Sequence, residues 1–341
     1  MFSRPRAVLL VALAIAAPAS TALAQPAALS PAARPVAPST GALVIVGGGG
    51  STPAIWDRFM ELAGGDSAVI VYFPTASAGN IDTTDNSALR VWRGRKPKSA
   101  VIMHTRSRDT ANTDAFVAPL KRATGVWFGG GVQSRITDAY LGTKTEEALR
   151  DVLRRGGVIG GTSAGAAIMS EVMITGTEDD RTIATLGKGF GFFPAAVADQ
   201  HFTQRTRQPR LVGVIRKHPG LVGFGIDEAT ALVVHGSRGL EVLGRGRVNM
   251  ITALPGMPVD SILWRESPEV AAVAARDSAT RAAGRRASPP KVLQGDLIEI
   301  TRKAQERARA RTGGSETFSA RFPLLAPYRS DARPHGVEVK K

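Results

Sequence analysis

Cysteine is missing altogether from this chain of 341 residues. Its absence excludes disulfide staples, thiolate nucleophiles and cysteine-ligated metals together. Stability must come from a buried core, and any covalent chemistry from another side chain. Aromatic residues are sparse, at 6%. Lys and Arg outnumber Asp and Glu by 44 to 29, a formal net charge of +15. The arginine-rich stretches nevertheless lack the interleaved stacking aromatics of a nucleic-acid surface, so no nucleic-acid partner is expected. Beyond the first two dozen residues no apolar run reads as a membrane span, which argues against stable membrane insertion. Histidines and carboxylates do not cluster at metal-ligand spacing, and no lysine follows the Gly47–Gly50 run in the manner of a phosphate-binding loop. No metal and no organic cofactor are expected.

What is present begins with a leader. Arg4 and Arg6 precede an apolar stretch over 7–17, and an Ala-Leu-Ala ending follows at 22–24. Together these read as a secretory signal peptide over 1–24, too short in its apolar part to remain as an anchor. Pro5 splits the two arginines, so no twin-arginine pair exists, and no lipid-bearing cysteine follows. The expected location is periplasmic or extracellular. Residues 25–40 are a Pro/Ala-rich linker, with order expected from Gly41. At the other end, 265–341 is a basic extension with 16 Lys/Arg against 9 Asp/Glu. Charge of this kind favours solubility and anionic partners without setting the fold.

The intervening stretch, 41–264, alternates apolar runs with helical spacing. Strands are predicted at 43–46, 68–73, 100–103, 125–128 and 158–159, with helices at 53–63 and 144–155. Farther on, a strand-like run at 195–202 precedes a basic helix at 206–218. Strands follow at 221–226 and 230–234, and 240–243 with 247–251 reads as a short antiparallel pair. Continuous apolar strands alternating with helices predict an α/β fold, a three-layer sandwich around a parallel sheet covered on both faces. Functional residues in such folds gather beyond the strand C-termini.

The run Gly161-Thr162-Ser163-Ala164-Gly165 sits in that context. A G-x-S-x-G pattern between a strand and a helix predicts a nucleophile elbow, with Ser163 exposed on a strained turn and the Ala164 N–H aimed at a developing oxyanion. A serine nucleophile needs a base, and the base needs an orienting carboxylate. His201 is the best placed of five histidines, at a strand end beyond the elbow. His104 also ends a strand. His218 suits a helix C-terminus, His235 a hairpin surface, and His335 lies in the tail. For the carboxylate, Asp227 and Glu228 are equal candidates, since neighbouring side chains diverge and only one can face the site. Gly129-Gly130-Gly131 lets the backbone approach a substrate, so Gly130 or Gly131 is a second candidate oxyanion donor. Gly47–Gly50 reads instead as a structural turn.

Three segments taken together resemble the cyanophycinase group of serine peptidase family S51, which also holds the aspartyl dipeptidase peptidase E. They are Gly161-Thr162-Ser163-Ala164-Gly165-Ala166-Ala167, then Asp199-Gln200-His201-Phe202 with Arg205, Arg207 and Arg210-Leu211, and Gly225-Ile226-Asp227-Glu228-Ala229-Thr230-Ala231. The resemblance spans about 41–255. It implies a fold like the class I glutamine amidotransferases, and a Ser–His–Glu triad carried here by Ser163, His201 and Glu228. It also implies substrate recognition by Gln133, Arg205, Arg207 and Arg210. The implied substrate is cyanophycin, a poly-aspartate bearing arginine in isopeptide linkage, or a peptide like it. Bidentate arginines would clamp its carboxylates. One departure stands out: where the group usually reads Gly-Gly-Asp-Gln, this chain has Gly131-Val132-Gln133. Loss of that acid weakens recognition of a guanidinium or free amine. Two alternatives remain: a peptidase E-like aspartyl dipeptidase, and a non-catalytic binding protein on the same scaffold. A homodimer is compatible with all three.

Overall fold

The computed structural model describes residues 41–178, 182–218, 220–235, 239–253 and 260–265. The leader, the linker and the extension beyond Arg265 lie outside the described residues.

The first strand, β1 (Ala42–Val46), shows why the sheet forms. Leu43 and Ile45 enter one core cluster, while Ala42, Val44 and Val46 enter another. A strand that buries both faces must be apolar without interruption, which requires helices above and below the sheet. Helix α1 (Pro53–Leu62) follows, opened by the Thr52 side chain, which accepts from the Ile55 N–H, and by Pro53 in its first turn. β2 (Val69–Phe73), the short helix α2 (Arg90–Arg93) and β3 (Ser99–Ile102) come next. Short helices α3 (Arg108–Ala111) and α4 (Asp114–Val117) lead to β4 (Gly125–Phe128). Helices α5 (Gln133–Tyr140) and α6 (Lys144–Arg154) then precede β5 (Val158–Thr162). Thr145, Leu149, Val152 and Leu153 of α6 form its buried stripe.

The second half departs from a plain sandwich. A short helix α7 (Ala164–Ala167) leads into a hairpin of β6 (Val172–Thr177) and β7 (Ala184–Lys188), which the sequence reading did not foresee. Then come β8 (Ala196–Gln200), α8 (Gln208–Lys217), β9 (Val222–Ile226), β10 (Thr230–Val234), β11 (Leu240–Gly244), β12 (Arg247–Thr252) and β13 (Asp260–Arg265). Seven strands make the main sheet in the order β11-β10-β1-β5-β4-β2-β3, and four make a second sheet in the order β13-β12-β9-β8. β1 to β5 run parallel, and β10 and β11 are antiparallel additions at one edge. The fold is thus mixed α/β around a largely parallel sheet. The expected hairpin of 240–243 with 247–251 is not formed: β11 pairs with β10, whereas β12 pairs with β9 and β13. Gly244, at φ +110°, opens the turn that sends the chain from one sheet to the other.

Candidate active site

β1, β4 and β5 present their C-terminal ends side by side, and three loops meet there. Gly161 and Gly165 bracket the turn after β5. A Cβ on Gly161 would lie 2.4 Å from the Gly165 carbonyl oxygen, and one on Gly165 would lie 2.4 Å from that of Phe128. Only glycines let the short α7 pack this close to β4 and β5. Ser163, between them, adopts φ +54° and ψ −107°, a sparsely populated conformation for a residue with a side chain. The Ser163 N–H donates to the Val46 carbonyl at 3.0 Å.

His201 follows β8 directly, also at positive φ (+49°). Its backbone N–H donates to the Gly47 carbonyl at 2.7 Å, which ties it to the end of β1. The imidazole is buried, with Nε2 2.9 Å from Ser163 Oγ and Nδ1 2.5 Å from Glu228 Oε1. Both ring nitrogens are thereby committed, one to a hydroxyl and one to a carboxylate. Burial pushes the imidazole below its ordinary pKa; the Glu228 contact opposes that shift, and the Arg205 and Arg207 charges add to it. The ring is therefore neutral at neutral pH and able to accept a proton.

Asp227 and Glu228 divide their work. Glu228 meets the imidazole, and its N–H donates to Gln204 Oε1 at 3.0 Å. The buried Asp227 carboxylate is taken up by Thr203 and the Arg247 N–H. Gly130 borders the serine: a Cβ there would lie 3.5 Å from Ser163 Cβ. Among the described residues, no carbonyl accepts from the N–H of Gly130 or Ala164. Gly131, at φ +138°, is pressed against the Ala76 carbonyl, where a Cβ would come within 2.1 Å.

The remaining positions sort differently. Gln133 donates its amide to the Ile174 and Thr175 carbonyls at 2.9 and 3.0 Å, bracing β6 beside the loop after β4. Arg205 is exposed. Arg207 is half-buried, donates to the Gln200 carbonyl at 2.6 Å, and is drawn down to a pKa of about 10 by burial and by the neighbouring Arg210. Arg210 is not available as a substrate clamp. Its residue is 3% exposed, and its guanidinium forks onto both carboxylate oxygens of fully buried Asp199. Position 210 falls on the inward stripe of α8, and burial of a cation there demands a paired acid. Replacing Arg210 with Met would strand the Asp199 charge. The expected loss is about 3–5 kcal/mol of folding stability, read by denaturant titration.

Two histidines are occupied elsewhere. His104 Nδ1 lies 3.0 Å from Thr75 Oγ1, within a network that includes the Tyr140 hydroxyl. His235 is not a free hairpin residue: its Nε2 lies 2.9 Å from Glu241, which also pairs with Arg58. Sequence reasoning missed Gly47–Gly50 as part of the site. A Cβ on Gly48 would lie 2.2 Å from His201 Cε1, and one on Gly49 would lie 2.5 Å from Glu228 Oε2. The available signal was the glycine run at a strand end; what it lacked was the strand order that sets β1 beside β5.

A hydroxyl, an imidazole and a carboxylate in line at the C-terminal edge of a largely parallel sheet are the marks of an α/β serine hydrolase. The sequence model of Peptidase family S51 matches residues 43–242, and the chain belongs to that family. It is a serine-type peptidase, similar to cyanophycinases. The cyanophycinase of Nostoc sp. (strain PCC 7120 / SAG 25.82 / UTEX 2576) is 32% identical over 227 residues, covering 64% of this chain and 75% of that protein. The cyanophycinase of Geminocystis herdmanii (strain PCC 6308) is 31% identical over 202 residues, covering 58% and 74% respectively. Among solved structures, a peptidase from an acI-B1 Actinobacterium superposes with a TM-score of 0.52 at 23% identity. That match covers 65% of this chain and 94% of the other, and it bears on the fold alone.

Proposed function

We propose that Ser163, His201 and Glu228 form the catalytic triad of a cyanophycinase-like peptidase that hydrolyses β-aspartyl-arginine (isopeptide-linked) substrates at their aspartyl peptide bonds. The observation that carries this reading is the unbroken chain from Ser163 Oγ through His201 to Glu228, at 2.9 and 2.5 Å. In this reading the turn at Ser163, with its positive φ, serves as a nucleophile elbow, and the largely parallel sheet beneath it supports a glutamine-amidotransferase-like fold. Ser163 Oγ attacks the amide carbonyl while His201 Nε2 takes its proton. The Ala164 and Gly130 N–H groups, with Gly131 shaping the loop, hold the oxyanion. His201 then protonates the leaving amine, and an acyl-enzyme remains on Ser163. Water, deprotonated by the same imidazole, releases the aspartyl product. Glu228 keeps Nδ1 protonated and stabilises the imidazolium as it forms. No step calls for a cofactor.

The substrate side is a peptide or a cyanophycin-like polymer, with Arg205 the exposed cation for a carboxylate and Arg207 behind it. Gln133 and Arg207 act mainly by shaping the walls. Val132 makes a strict demand for an arginine-bearing leaving group weaker than in the cyanophycinases it resembles. The leader pattern supports export, with the polymer or its fragments met outside the cytoplasm.

The test is hydrolysis of insoluble cyanophycin and of small β-aspartyl dipeptides by the wild type and by Ser163→Ala across pH. Release of β-Asp-Arg by the wild type alone supports the full reading. Cleavage of dipeptides only keeps the triad and moves the substrate to small peptides. Because burial depresses the His201 pKa, kcat/KM should stay flat from neutral pH downward and fall only below the ordinary histidine value of about 6.5. An acid limb above that value would contradict the assignment of His201 as base.

A further inference from the structure

Ser163 and His201 stand on different sheets. Ser163 follows β5 of the seven-stranded sheet, while His201 follows β8 of the four-stranded one. Glu228 lies on the loop 227–229, by which the chain passes from β9 in the second sheet to β10 in the first. The proposed triad is thus assembled across a joint, and a slide of about 1 Å there would be costly, since misplacement on that scale can cost a hundredfold in rate.

Asp227 sits at this joint. Its Oδ1 accepts from the Thr203 N–H at 3.1 Å and from the Thr203 hydroxyl at 2.7 Å. Thr203 lies two residues beyond His201. The other oxygen, Oδ2, accepts from the N–H of Arg247, the first residue of β12, at 3.1 Å. The Asp227 N–H returns a bond to the Arg247 carbonyl at 3.0 Å. A Cβ on Gly246 would lie 2.6 Å from Asp227 Cβ, so the side chain is walled in. None of these bonds goes to the Ser163, His201 or Glu228 side chains. Asp227 binds Thr203, two residues beyond His201, and the Arg247 backbone instead.

We propose that Asp227 is a positioning residue, which locks the His201 loop against the Glu228 loop and so holds the imidazole in line between Glu228 and Ser163. This inference rests on the triad reading above. Two variants separate positioning from charge. Asp227→Asn keeps an acceptor for Thr203 but sets an amide NH2 against the Arg247 N–H. Thr203→Val removes one donor and leaves the Asp227 charge in place. The imidazole also feels Glu228, Arg205, Arg207 and Asp199, and neither variant alters those groups.

The experiment uses the full chain and a fluorophosphonate probe that acylates the nucleophilic serine. The maximal labelling rate should fall about tenfold to a hundredfold in Asp227→Asn, and less in Thr203→Val, with the half-saturating probe concentration unchanged. The NMR titration midpoint of the His201 imidazole should move down in both variants, because a looser Glu228 contact stabilises the charged ring less. Unchanged labelling rates and an unchanged midpoint in both variants, even with lowered melting temperatures, would reduce Asp227 to a folding residue and overturn the proposal alone. A wild type whose Ser163 does not react at all would overturn the triad reading and this inference with it.

Discussion

Exchange of His201 for alanine is expected to lower kcat by roughly 10⁶-fold, and exchange of Ser163 for alanine by a similar factor. The double variant should lose scarcely more than either single one. The reason is geometric: the hydroxyl at 2.9 Å from Nε2 has no other described base within reach, and the imidazole has no other nucleophile to serve. Once either partner is gone, the second contributes nothing to acyl transfer. What survives is binding plus the oxyanion donors, for which a residual 10³- to 10⁴-fold acceleration over water is the usual scale. Glu228 behaves differently, because it orients and does not react. Its exchange for glutamine should cost roughly 10⁴-fold, by stabilising the wrong imidazole tautomer. Single-turnover kinetics on a small β-aspartyl substrate, run on variants matched for folding, would check all four values. Additive losses in the double variant would show that Ser163 and His201 do not act as one unit.

Much of this arrangement was legible in the residues. Continuous apolar runs such as Leu43-Val44-Ile45-Val46 identify buried parallel strands, because no other common element buries both faces over so short a length. The pair Gly161 and Gly165 around Ser163 reports a close backbone approach that the structure shows directly. Other features depend on contacts between distant segments. The β6–β7 hairpin carries polar and glycine positions and a bulge between Ile174 and Gly176, so its period-two signal is weak. Strands β11 and β12 are adjacent in sequence and look like a hairpin, but local pattern does not reveal that Gly244 and Gly246 turn the chain into another sheet. For Arg210 the resemblance implies a substrate contact, and local pattern offers nothing against it. Its burial depends on Asp199, eleven residues earlier on a strand, and only the tertiary fold brings the two together. The tie between Asp227 and Glu228 has the same origin: two adjacent carboxylates differ only in which loop each one faces.

The glycine run after β1 forms the turn that the sequence predicts, and its contacts with His201 and Glu228 yield the second strong prediction. Gly48 is at φ +98°, beyond the left-handed region that other residues tolerate, and the space a Cβ would take is filled by the imidazole. An alanine Cβ there would fall 2.2 Å from His201 Cε1 and 2.5 Å from Nε2, so the ring must swing or the loop must lift. Either movement breaks the contact to Ser163 Oγ, because Gly47 also holds the His201 N–H through its carbonyl. The expected result for Gly48→Ala is a loss of roughly 10²-fold or more in kcat. Backbone strain of about 1–3 kcal/mol should accompany it in stability. Gly50→Ala supplies the control that separates these two effects. Gly50 is also at positive φ, +87°, yet a Cβ there meets nothing within 4 Å. It should therefore show the strain as a lower melting temperature without the collapse in turnover. Equal losses of kcat in the two variants would mean that the loop as a whole, and not the contact of Gly48 with the imidazole, governs the site. A large loss confined to Gly48→Ala would make this glycine part of the catalytic geometry, a position where the absence of a side chain keeps the base in line with its nucleophile.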